Sequence, residues 1–266
     1  HSNSEGDIYI EEMPLLLVHL REEEKGADAR LSEVLSYALD GYAYETATEI
    51  SAFEDYVNRW RCLEKTQNQK NPVQGRILFA VPLGTSGINL ELYRLIRFLR
   101  EHPDFLNGFV GGLLVDSEND LYSKSAAKDL VFAANCAGCA FVGRPLVEGT
   151  RTLSNYTIVS NNLGTDLMGA YRESAAGLVK EVLGTDCVRK KCPKVLVLHA
   201  SSHKTSNTYA IWSRVKEQLP EMEIREIGLR NGTLSDCAGC PYKMCLHFGE
   251  QGSCFYGGVM VEYVYP

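Results

Sequence analysis

Four of the nine cysteines in this chain, Cys237, Cys240, Cys245 and Cys254, crowd into one short stretch. Thiolates at these spacings can converge on one tetrahedral zinc ion or on one iron–sulfur cube, and the third reading is free thiols. Pro241, Gly249 and Gly252 mark the stretch as loop. Upstream, Ser201-Ser202-His203-Lys204-Thr205-Ser206-Asn207-Thr208 gathers hydroxyls, an amide and an ammonium into one segment. It follows the apolar run Val195–Leu198 and precedes Tyr209, Ile211, Trp212, Val215 and Leu219, which recur at helical spacing and stop before Pro220. Backbone N–H groups at a helix entrance, backed by its partial positive charge, suit a phosphate. The competing reading is a hydroxyl-rich turn that only caps the helix.

Both segments need elements to position them. Residues 222–229 read as a strand leading from the helix to the cysteines. The first 185 residues alternate apolar strands with helices. Leu15–Val18 is followed by a helix over 28–39, Tyr44–Ile50 by one over 52–61, and Arg76–Val81 by one turning Leu92, Tyr93, Ile96 and Leu99 inward. Phe109–Val115 precedes a helix over 123–136. Ala140–Gly143 is a fifth strand, 144–163 is irregular, and a helix over 165–183 ends at Gly184. Five such strands predict an α/β doubly wound parallel sheet with helices on both faces.

The pattern then restarts. Leu15-Leu16-Leu17-Val18-His19 matches Val195-Leu196-Val197-Leu198-His199 in type, with both histidines expected to pack at strand ends. Glu22, Glu23 and Glu24 stand where the second copy has hydroxyls, and would repel a phosphate. Gly84-Thr85-Ser86-Gly87 lies past a central strand, with Thr85 or Ser86 expected to cap the next helix. Cys136 and Cys139 are expected to be two buried small residues, and Cys62 a buried thiol.

On the loop 201–208, the following strand and the cysteine stretch, the chain resembles the NAD(P)H-dependent FMN reductases of the flavodoxin-like superfamily, most closely their iron–sulfur flavoprotein branch. The resemblance implies that Ser201, His203, Lys204, Ser206, Asn207 and Thr208 hold the FMN phosphate. It implies that Cys237, Cys240, Cys245 and Cys254 hold a [4Fe-4S] cluster, with zinc as the alternative. It implies that loop 84–87 answers to the loop cradling the flavin ring. NAD(P)H would be the hydride source, and a small-molecule acceptor or redox protein would take the electrons. No side chain is required as acid or base, so none is named as catalytic. The departures are Ala200, Thr205 and Ser206 in place of glycines, and four residues rather than two between the second and third cysteines.

The implied layout is a tag remnant or tail over 1–7, a complete flavodoxin-like αβα domain over 8–185, a basic linker over 186–193, and part of a second such domain over 194–266. A homo-oligomer or a pseudo-dimer of the two domains is expected. A longer chain or another subunit would complete the second domain. The alternative to a flavin reductase is a decayed scaffold or partner-binding protein.

Composition bounds these readings. At 266 residues, 45% hydrophobic and 23% charged, the chain suits a soluble globular protein. A net charge of −7 argues against nucleic acid. No apolar run reaches a membrane span. Clustered cysteines without secretory features point to a reducing cytoplasm.

Overall fold

A computed structural model of the chain describes residues 13–21, 25–66, 74–187, 192–200, 206–228 and 239–257. The chain separates into two units, His1–Cys187 and Val188–Pro266.

The first unit is built on a sheet of five parallel strands: β1 (Leu15–His19), β2 (Tyr44–Ala47), β3 (Gly75–Leu83), β4 (Phe109–Ser117) and β5 (Ala140–Gly149). Their order is β2-β1-β3-β4-β5, consistent with a flavodoxin-like three-layer fold. Strands covered on both faces must be apolar on both, which is why β1, β3 and β4 read as near-continuous hydrophobic runs. Helices α2 (Ile50–Thr66), α3 (Leu90–Glu101) and α4 (Ser123–Cys136) bury Phe53, Trp60, Leu95 and Leu130 against one face. Helices α1 (Lys25–Ala38) and α6 (Leu167–Gly184) bury Leu31, Leu35, Tyr171 and Leu178 against the other. A side chain at Gly112 would stand 2.8 Å from Leu178 and 2.9 Å from Val182, so a glycine there lets α6 lie close on β4.

Several expectations are corrected. The fifth strand runs on to Gly149, because between the partners of Gly111 and Leu113 it advances from Phe141 to Leu146. That bulge hides the strand's alternation. The stretch expected to be irregular also holds a 3-10 turn (Ser154–Tyr156) and α5 (Thr157–Leu163). Helix α3 is capped by Asn89, not by Thr85 or Ser86. Its buried face holds Leu95, while Tyr93 is half exposed, since the helix begins later than the loop residues suggested. Cys62 and Cys136 are exposed and only Cys139 is buried.

The second unit pairs β6 (Val195–His199) with β7 (Ile224–Gly228) in parallel across α7 (Asn207–Glu217). This strand–helix–strand order repeats that of β1, α1 and β2. Its packing does not repeat. Leu196 and Leu198 are each 57% exposed, whereas β1 is buried throughout. The cause is that helices cover both faces of β1, Leu16 and Val18 packing on one side and Leu15 and Leu17 on the other, whereas in β6 it is the face of His199 that meets Tyr209 of α7, and Leu196 and Leu198 lie on the opposite face. The cysteine stretch, expected to be loop, contains α8 (Tyr242–Gly249). No helix among the described residues is long and apolar enough to cross a membrane.

Candidate functional site

An open parallel sheet presents ligands at the carboxyl ends of its strands, where the strand order reverses. In the first unit that point lies between β1 and β3, where Ala27, Arg30, Thr85, Glu118 and Arg151 line a cleft of about 460 Å³. The protein's own polar groups fill much of this edge. Arg30, on α1, donates from Nη2 to Asp116 Oδ1 at 2.7 Å and from Nε to Oδ2 at 3.0 Å. It also donates to the carbonyls of Ser117, Thr150 and Arg151. One guanidinium thus stitches α1 to the ends of β4 and β5. Asp116 is fully buried, and burial lifts its carboxyl above the ordinary range against the opposing pull of Arg30. Tyr171 lies beside it, its buried hydroxyl close enough to be drawn on by the Asp116 carboxylate although no full hydrogen bond forms among the described residues.

His19, at the end of β1, is buried with Nε2 2.7 Å from Asp28 Oδ1. Burial lowers its pKa even against the carboxylate. Asn89 is buried and saturated: its amide donates to the carbonyls of Leu20 and Pro82, and its oxygen caps Leu92 N–H. Loop 84–87 is gripped by its neighbours, since Asn119 Nδ2 donates to the carbonyl of Thr85 and the Tyr122 side chain lies over Gly87. Tyr122 and Leu153 hold left-handed backbone conformations, costly for bulky residues and concentrated where a structure over-determines them.

Of the residues expected to hold a phosphate, Ser206, Asn207 and Thr208 lie together at the start of α7, while Ser201, His203 and Lys204 lie outside the described residues. Ser206 Oγ accepts from Tyr209 N–H at 3.1 Å, which makes Ser206 the helix cap and leaves its hydroxyl proton to donate elsewhere. Asn207 and Thr208 are exposed. Behind them the His199 and Tyr209 rings sit 5.0 Å apart, and Glu226 accepts from Tyr209 Oη and pairs with Lys216.

The cysteines are another matter. Cys240 and Cys254 are half-buried and Cys245 is exposed on α8, while Cys237 lies outside the described residues. Among the described residues no three His, Cys, Asp or Glu side chains come together as a metal site.

Charge divides between the units. Residues 1–187 carry 17 Lys and Arg against 27 Asp and Glu; residues 188–266 carry ten against seven. An anionic ligand is favoured by the second and opposed by the first. The residues that sequence reading missed are Arg30, Asp116, Glu118 and Arg151. The run Asp116-Ser117-Glu118-Asn119-Asp120, directly past a buried strand, was the available signal for two of them. Comparison with protein-family models gives no matching model, and comparison with curated proteins gives no match.

Proposed function

We propose that the chain is a flavodoxin-like, NAD(P)H-dependent flavin oxidoreductase, with FMN held through its phosphate by the second unit. The observation that carries this reading is the entrance of α7, where Ser206, Asn207 and Thr208 follow a parallel strand at the positive end of the helix. The Thr208 hydroxyl and the uncommitted Ser206 proton would donate to phosphate oxygens, and the first N–H groups of α7 would add the dipole's pull. The net positive balance of residues 188–266 favours the same ligand. Bound flavin would supply the hydride chemistry; the protein supplies binding and orientation. The four cysteines, Cys237 with Cys240, Cys245 and Cys254, would pass electrons onward only if they carry an iron–sulfur cluster.

Titrating FMN into the protein and into Thr208→Ala tests the reading. The variant should bind about 1–2 kcal/mol more weakly, the scale of a hydrogen bond to a charged group. Equal affinity removes this loop as the phosphate holder. An absorbance spectrum after anaerobic purification tests the cysteines, since a cluster colours the protein brown and zinc leaves it colourless.

The second reading is a scaffold without catalytic activity. What favours it is the first unit, whose strand-end edge is occupied by Arg30–Asp116 and Glu118–Ala27 contacts. Retention of no flavin by the protein, purified with excess FMN, would select it.

A further inference from the structure

The first N–H groups of a helix have no intrahelical partner, and a strand–loop–helix unit lends them to an anion. In the first unit one of them already has an anion. Glu118 Oε1 accepts from Ala27 N–H, third residue of α1, at 3.1 Å. Glu118 comes from just past β4, 91 residues further along the chain. It is fixed there from two sides. Its own N–H donates to the carbonyl of Leu83 at 3.0 Å, pinning the loop to the end of β3. Arg30 binds Asp116 and the carbonyl of Ser117, tying the same loop to α1. Ala27 and Glu118 face the cleft together with Thr85, Arg30 and Arg151.

We propose that Glu118 is a built-in anion: its carboxylate occupies the ligand position of the first unit and keeps phosphate-bearing molecules out of it. The carboxylate serves the orphan N–H as a phosphate oxygen would. It also repels any second anion at that place. Arg30 is already held by Asp116 and three carbonyls, which leaves one Nη1 N–H over. The two strand–helix–strand repeats therefore differ in kind. One carries its anion within the chain, and the other presents hydroxyls. This inference rests on the Glu118 contact and not on flavin binding by the second unit.

Hydrogen exchange read by mass spectrometry on the full chain, with and without inorganic phosphate, tests it. Parent and variants all carry Glu22→Gln, Glu23→Gln and Glu24→Gln, which removes the neighbouring carboxylates expected to repel phosphate at the same helix entrance. In that background, Glu118→Ala should let phosphate slow exchange several-fold in peptides covering the start of α1. In the parent and in Glu118→Gln, which keeps an acceptor oxygen and the bulk, phosphate should leave those peptides unchanged. Glu118→Ser gives the same readout should the alanine loosen the loop. Protection of α1 by phosphate in the parent overturns the proposal, and so does its absence in both Ala and Ser variants. Peptides covering 206–217 report the second unit in the same samples, so failure there is read separately.

Discussion

Arg30 and Asp116, 86 residues apart in the chain, meet in a two-pronged ion pair with the carboxylate fully buried. A buried charge that keeps its partner is tolerated, and one that loses it is not. Arg30→Ala should therefore destabilise the protein by about 3 kcal/mol, the low end for breaking a buried pair because Arg30 is partly exposed. Arg30→Met combined with Asp116→Leu removes both charges and should recover most of that loss. Urea unfolding of the four members of this cycle measures it. Additive losses in the double variant would mean that the pair is not coupled.

Among the described residues the buried hydroxyl of Tyr171 makes no full hydrogen bond, only a weaker approach to the Asp116 carboxylate, while its desolvation is suffered on folding. Tyr171→Phe should leave the melting temperature unchanged or raise it. A fall equivalent to more than about 1 kcal/mol would show that this hydroxyl, with Arg30, holds the Asp116 carboxylate through a full hydrogen bond.

The pH dependence of stability should carry a signature of His19. Burial lowers its pKa in the folded protein, so below the ordinary value of 6.5 the unfolded chain binds the proton more readily. The stability that His19 contributes is present above pH 6.5 and is lost as pH falls toward the depressed folded pKa. Thermal melts between pH 7 and pH 5, with His19→Gln as reference, isolate it. A parent curve parallel to that of the variant across this range would contradict the burial argument.

Gly149 ends β5 against Asp116 and Tyr171. An added methyl group would stand 2.6 Å from Asp116 Oδ2 and 2.8 Å from the Tyr171 ring. Neither neighbour is free to retreat, so Gly149→Ala should cost about 1–3 kcal/mol through overpacking. Gly164→Ala, with open space around it but a positive φ, offers a contrast limited to backbone strain. Denaturant midpoints compare the two, and a neutral Gly149 variant would show the edge to be more yielding than its packing implies.

The sequence by itself determined the layers of the first unit. Runs such as Arg76–Val81 and Phe109–Val115 are apolar at every position, and only a strand covered on both faces needs that. Helical spacing likewise identified the buried faces of α1 and α2, down to Leu31, Val34, Phe53 and Trp60. The restart at Val195, and the hydroxyls at the entrance of α7, were legible for the same reason: they are local patterns. Tertiary structure decided what closes the first unit's ligand edge. Glu118 reaches Ala27 across 91 residues and Arg30 reaches Asp116 across 86. No periodicity encodes such pairs, because they exist only once parallel strands bring remote loops to one edge. The exposure of Leu196 and Leu198 was equally hidden. An apolar strand declares that it can be covered, and only its neighbours determine whether it is.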